Sequence, residues 1–174
     1  MPDGVLQIMN SSNYGEVNSD GVSGGIIGYV GGHDWNSNIS VNILNCANFG
    51  KINSQQIGSG GIIGTQATVC TENYISIKNT YNTGNVTGKT FGNIIGTISY
   101  ADGRTDTKTE FENVYYTEEP LLGKGSLTGG EATLKSQDEI KGQSFVDLLN
   151  QNIGENSDWK KWKLGEKGYP EIDL

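Results

Sequence analysis

The 174 residues offer little raw material for catalysis: one histidine, two cysteines and a scatter of carboxylates. His33 stands beside Asp34 in the polar stretch GGHDWNSN. An imidazole next to a carboxylate is half of a general-base arrangement. The nucleophile would have to come from scattered serines, and no spacing selects one of them, so the pair reads as a solvated turn. Asp102 and Asp106 flank Arg104 in DGRTD. Two carboxylates there suggest Ca2+, but the dense oxygen ligands of a calcium loop are missing and a guanidinium sits between the acids. Asp20, Asp34, Glu72, Asp106 and Glu112 would be the acids of a polysaccharide-cleaving β-helix enzyme. They fall in unlike segments and form no column, whereas glycoside chemistry needs two carboxyls roughly 5–10 Å apart. There is no H-E-x-x-H, no P-loop and no dinucleotide fingerprint. The sequence therefore predicts no catalytic residue, no cofactor-binding residue and no metal ligand, and a chain that is not an enzyme.

Charge and composition narrow the classes further. A net charge of −8 argues against nucleic acid and against anionic membrane surfaces, both of which call for basic patches. No apolar run approaches the roughly 20 residues that cross a bilayer. Met1-Pro-Asp-Gly opens without a leader pattern, and the chain is expected to be a piece of something longer. Apolar residues make up only 34% and glycines number 26, which suits short strands with many tight corners better than a thick core.

The elements that would carry any site come from a repeat. NSSNYGEVN, NCANFGKIN and NTYNTGNVT begin at Asn10, Asn45 and Asn79 and share N-x-x-N-x-G-x-[V/I]-[N/T]. Before each Asn stand Leu6-x-Ile8, Val41-x-Ile43 and Ile75-x-Ile77, the period of a half-buried strand. A second phrase follows each time: SGGIIGY from Ser23, SGGIIGT from Ser59 and FGNIIGT from Phe91. Each unit thus holds three strand candidates, and polar excursions of unlike sequence lead to the next unit. A partial fourth unit runs through Phe111, Asn113 and Val114 and closes at Pro120.

Units that repeat every ~35 residues cannot bury their apolar faces alone and stack instead. The expectation is an all-β-dominated fold, a parallel β-solenoid of three units plus a partial fourth over 1–117. Stacking would set Asn10, Asn45, Asn79 and Asn113 in one amide ladder and Asn13, Asn48 and Asn82 in another. Gly15, Gly50 and Gly84 would serve a recurring turn. Glu16, Lys51 and Asn85 would form a solvated column. Cys46 replaces Ser11 and Thr80 of the sister units, so a small buried residue is favoured there over a disulfide to Cys70.

The phrases NCANFGKIN…SGGIIG and NTYNTGNVTG…FGNIIG resemble the GLUG motif. The likeness covers roughly residues 5–117, with G-G-I-I-G for the usual G-G-L-V-G and Asn93 in place of a glycine in the third copy. It implies a bacterial secreted or cell-surface repeat protein, of the kind found in adhesin-like proteins and in non-catalytic regions of IgA-specific metallopeptidases.

From about Glu118 the Asn/Gly phrases stop, and 118–174 is expected to cap the stack with a short helix. Ser136 as N-cap with Glu139 three residues on predicts a helix start, interrupted at Gly142 and resumed over Ser144–Leu149. The run F-V-x-x-L-N ahead of Trp159, Trp162 and Gly168-Tyr-Pro resembles the tails that close GLUG-containing proteins. The functional expectation is a stalk, spacer or adhesion segment, monomeric, with a host or cell-surface protein or glycan as partner. Tyr29, Trp35, Tyr74 and Tyr100 support a glycan-binding alternative, because aromatic faces stack on sugars.

Overall fold

Ile and Val at alternate positions favour extended strands, and Asn and Gly between them favour tight corners. The computed structural model describes residues 4–31, 38–68, 72–100 and 106–174, and it is mostly β. The first unit supplies β1 (Gly4–Met9), β2 (Ser12–Asn13), β3 (Val17–Ser19), β4 (Val22–Gly24) and β5 (Ile27–Val30). The second supplies β6 (Asn38–Leu44), β7 (Ala47–Asn48), β8 (Ile52–Ser54), β9 (Gly58–Gly60) and β10 (Ile63–Thr68). The third supplies β11 (Glu72–Asn82), β12 (Val86–Gly88), β13 (Phe91–Gly92) and β14 (Ile95–Tyr100). Then follow β15 (Asp106–Tyr116), β16 (Leu122–Lys124), β17 (Ser126–Leu127), β18 (Ala132–Leu134), α1 (Gln143–Ile153), β19 (Trp162–Leu164) and β20 (Pro170–Ile172). Every unit holds more strands than the three expected, because the Ser-Gly steps and their Phe-Gly counterpart pair as β4, β9 and β13, and in the first two units the Asn corner also splits off β2 and β7.

Equivalent strands of successive units pair in parallel. Among the described residues they form separate sheets, β1–β6–β11–β15, β5–β10–β14–β16, β3–β8–β12 and β4–β9–β13, curled as a half-barrel. Parallel pairing continues past residue 117, with β16 on β14 and with β17 and β18 on β15. The register puts Leu6, Val41 and Ile75 in one column and Ile8, Ile43 and Ile77 in the next. Val41, Ile43, Ile75 and Ile77 share the core with Ile62, Ile63, Ile94, Ile95 and Ile98, all at most 1% exposed. Burial of each such side chain contributes about 1.5–3 kcal/mol.

Asparagine does two jobs in these columns. Asn10, Asn45, Asn79 and Asn113 have φ of 51°, 56°, 46° and 56°. This is the left-handed region that Asn tolerates better than other side-chain-bearing residues. The turning backbone, not only the ladder, selects Asn at these four corners. The ladder also forms over three of them. Nδ2 of Asn45 donates to Oδ1 of Asn10 at 2.8 Å, and Nδ2 of Asn79 donates to Oδ1 of Asn45 at 2.7 Å. Asn113 keeps the corner, while the next donor onto Oδ1 of Asn79 is Asn152 of α1, at 3.2 Å.

The second row runs the other way. Asn13 donates to Asn48 at 2.8 Å, and Asn48 donates to Asn82 at 2.7 Å. Each also clasps the glycine two residues on. Oδ1 of Asn48 accepts from the Gly50 N–H at 3.2 Å, and Nδ2 of Asn48 donates to the Gly50 carbonyl at 3.0 Å. Gly50 and Gly84 answer to close approach rather than to turn geometry. A Cβ on Gly50 would lie 1.9 Å from the Gly15 carbonyl oxygen, and one on Gly84 would lie 2.0 Å from that of Gly50. The departure of the third copy is explained in the same way. Gly25 and Gly61 leave room for the side chains of Asn48 and Asn82 from the next unit. Tyr116 stands where the fourth unit would offer that Asn. Asn93 fills the place instead, with its Oδ1 accepting from Asn82 at 3.3 Å.

Cys46 is fully buried and free, and its thiol faces the Leu44 carbonyl at 3.2 Å. The hydroxyls of Ser11 and Thr80 donate to the carbonyls of Met9 and Lys78 in the same way. Cys70 lies outside the described residues.

Ser136 and Glu139 make the reciprocal bonds of a capping box, with the Glu139 N–H on Ser136 Oγ at 3.2 Å and the Ser136 N–H on Glu139 Oε2 at 2.7 Å. They close a single turn rather than a helix start. Gly142, at φ 91°, breaks the chain before α1 begins at Gln143.

Candidate functional site

Stacking brings side chains of different units onto common faces, and two faces gather groups with chemical potential. The first is the flank that carries the Asn corners. Ala47, Tyr81 and Tyr115 project there, and the C-terminal segment covers them with Ile140, Phe145, Val146, Leu149, Ile153, Trp162 and Ile172. This second apolar cluster runs along the stack. Asn10 meets the backbone of Asp158 and Lys160; Asn45 accepts from Trp162 Nε1 at 2.6 Å and donates to the Lys160 carbonyl at 2.8 Å; Asn79 donates to the Leu149 carbonyl at 3.1 Å. The Tyr81 hydroxyl donates to the Pro170 carbonyl, and burial pushes its pKa well above the ordinary phenol value. A neutral phenol locked under a covering segment is a packing residue, not a proton donor in turnover.

The second face is the outer surface of β11 and β15. Period-2 alternation puts Tyr74, Ser76 and Lys78 on one side, and the register sets Ser76 beside Glu110 and Lys78 beside Glu112. Lys78 Nζ lies 2.8 Å from Glu110 Oε1 and 3.3 Å from Glu112 Oε2. The Tyr74 hydroxyl donates to Glu110 Oε2. The hydrogen bond from Lys78 holds the Glu110 carboxyl below the usual range, and the bond to Glu110 raises Lys78 in turn. The charges on Lys78 and Glu110 both persist at neutral pH. General acid–base work needs a group poised near the working pH, and this cluster moves both partners away from it. It is suited to presenting fixed charges and hydrogen-bonding groups to a ligand.

Two smaller features remain. Tyr14 and Phe49 stack at 4.7 Å with their rings 9° apart, and Tyr14 is 59% exposed. A shallow groove of about 550 Å3 lies between Lys135, Glu139, Asp147 and Gln151. Its floor is Phe145 and Leu148, which belong to the docked helix.

The residues singled out from sequence are dispersed. His33, Asp34, Trp35, Asp102 and Arg104 lie outside the described residues. Glu72 and Asp106 open β11 and β15, and Tyr100 closes β14. Asp20 is an exposed residue between β3 and β4, and Glu112 pairs with Lys78. Tyr29 and Tyr74 belong to different sheets, and the Tyr29 hydroxyl is bonded to the Ala67 carbonyl at 2.9 Å. The Glu16–Lys51 pair expected in the outward column forms at 3.6 Å. Sequence reasoning missed Glu110, Lys78 and the Tyr14–Phe49 stack. The stack could have been found, because both aromatics follow the second Asn of their repeat phrase.

No family model matches the chain, and no curated protein does. The likeness to GLUG repeats therefore rests on the residues quoted above. Among solved structures the chain is similar to one described as a putative immunoglobulin A1 protease from Bacteroides ovatus, with a TM-score of 0.56 and 21% identity. The match covers 96% of this chain and 57% of that one, so this chain corresponds to little more than half of its neighbour. At that identity the likeness is one of fold, of a mostly β chain resembling part of a bacterial protein.

Proposed function

We propose that the chain is a β-solenoid segment of a secreted or cell-surface bacterial protein. It serves as a stalk, spacer or binding scaffold and has no catalysis of its own. One observation carries this reading. The polar residues that recur from unit to unit are consumed internally, in amide ladders and in glycine clasps. A repeated position that is fully bonded inside the stack has no capacity left for a substrate. Residues 118–174 act as the cap, with α1 and the Trp-rich stretch splinting the flank of the stack. The isolated chain is monomeric. The GLUG resemblance supports the bacterial surface setting, and so does the fold likeness to a protease-related chain.

A broad hydrolase panel that includes immunoglobulin A1, run beside calorimetric titration with Ca2+ and Zn2+, tests the reading. The expected result is neither turnover nor metal binding at micromolar affinity. Turnover removed by substituting His33, Asp102 or Asp106 would replace the scaffold with an active site.

A second reading is a glycan-binding module. The exposed Tyr14–Phe49 stack favours it, because a flat pair of rings is a surface on which a sugar face can lie. A glycan array with the chain and with Tyr14→Ala separates the two readings.

A further inference from the structure

We propose that the open face of the first unit is a docking surface for one more repeat of the same type. The occupant is a polypeptide segment carrying the N-x-x-N-x-G phrase, laid parallel to β1. The proposal rests on the stacked-repeat reading above and deepens it.

The glycines carry it. In the second and third units, glycine is demanded by the carbonyls of the unit before. A Cβ on Gly50 would lie 1.9 Å from the oxygen of Gly15; one on Gly64 would lie 2.5 Å from that of Gly28; one on Gly96 would lie 2.4 Å from that of Gly64. Gly15 and Gly28 occupy the same columns in the first unit. Neither has a positive φ. A Cβ on Gly15 would meet only Asn13 Oδ1, at 3.7 Å, and one on Gly28 would meet nothing within 4 Å. Nothing among the described residues requires glycine at either place. The carbonyls of a preceding unit would.

Polar and apolar columns end at the same face. Oδ1 of Asn48 accepts from a ladder amide as well as from its own glycine, and so does Oδ1 of Asn82. Oδ1 of Asn13 accepts from Gly15 at 3.1 Å and, among the described residues, has no ladder donor. Leu6 is 43% exposed where Val41 and Ile75, in the same column, are at 1% and 0%. Among the described residues β1, β3, β4 and β5 are each the terminal strand of their sheet, so this face also offers strand edges for pairing. One further unit meets all of these demands at once. It brings carbonyls against Gly15 and Gly28, an amide onto Asn13, and apolar cover for Leu6.

A second copy of the chain does not meet them. At the far end β15 is already paired with β17 and β18, and β14 with β16. A two-fold pairing of first units would set their β1 strands antiparallel and lose the register of the glycine and asparagine columns.

The test fuses a copy of residues 38–71 directly ahead of Asp3, which preserves the repeat spacing. In the fusion, hydrogen exchange of the β1 amides is expected to slow by roughly 100-fold or more relative to the parent chain. Gly15→Ala and Gly28→Ala are expected to leave the denaturation midpoint of the parent unchanged and to lower that of the fusion. Unchanged β1 exchange in the fusion, or equal effects of the alanines in both proteins, overturns the proposal. A parent that tolerates Gly50→Ala would sink the stacked-repeat reading itself, and this proposal with it. A parent dimer split by Leu6→Lys would assign the face to a second copy, which also overturns the proposal.

Discussion

Asn45 is the residue on which the stack and its covering segment meet, and its replacement gives the sharpest numbers. Four bonds end on its amide, from Asn79 and Trp162 to Oδ1 and from Nδ2 to Asn10 and Lys160. Truncation leaves most of the partners provided for. Asn79 still donates to Leu149, Asn10 still accepts from the Lys160 N–H, and Lys160 is exposed to water. Trp162, 3% exposed, is left with an orphaned indole N–H. An orphan of that kind costs about 1–3 kcal/mol, and the net loss of the remaining bonds adds about 1 kcal/mol. Asn45→Gly is therefore expected to destabilise by about 2–4 kcal/mol. Asn45→Ala carries an additional left-handed backbone cost of about 1–2 kcal/mol. The greater freedom of glycine in the unfolded chain takes back about 0.5–1 kcal/mol of that difference. Alanine should thus be worse than glycine by about 0.5–1 kcal/mol, an ordering opposite to the one seen in strand or helix interiors. Equilibrium urea denaturation of the wild type and both variants measures it. A cost below about 0.5 kcal/mol for alanine, or glycine worse than alanine, would refute both the bonding and the corner argument.

Asn93→Gly restores the repeat phrase, yet it removes the terminal acceptor of the Asn82 ladder and should lower stability by about 1 kcal/mol in the same assay. Burial pushes the Cys46 thiol up to about 11; in a Cys70→Ser background, Ellman's reagent at mildly alkaline pH should stay unreactive until denaturant is added. Glu110 and Glu16 are held below the usual carboxylate range by hydrogen bonds, Glu110 chiefly from Lys78 and Glu16 chiefly from Asn18. Their contribution is present above the ordinary value of 4.5 and is lost as pH falls through the lowered folded values. The urea midpoint should accordingly drop on acidification below that point, and Lys78→Met should flatten part of the drop.

The repeated phrases made the strands, their parallel order and the two amide rows legible, because stacking turns a sequence period into a spatial column. Other features were not legible. The positive φ at Asn10, Asn45, Asn79 and Asn113 comes from the path of the backbone, and the ladder alone was a sufficient explanation on paper. Gly50 looked like a turn residue because a carbonyl pressing from another unit leaves no trace in its own neighbours. Ser136 and Glu139 do make their box, but the turn they close is ended by Gly142. The position of Trp162 on the flank depends on a face assembled from several units, which no local window contains. Lys78, Glu110 and Glu112 are adjacent only through strand register, so their cluster follows once the pairing of β11 with β15 is fixed.

The opposed directions of the two asparagine rows have an electrostatic consequence. Oxygen positions are fixed by N–H donors outside the rows, by Lys160 and Trp162 in one and by Gly15, Gly50 and Gly84 in the other. The amide moments therefore align head to tail within each row and point oppositely between rows. In an α-helix, aligned peptide moments of about 3.5 D sum to partial charges at the two ends. Here each added unit contributes one moment in each direction, and the axial sum stays near zero. Such a stack can lengthen without building polarity along its axis, so neither end becomes a trap for ions as the number of units grows.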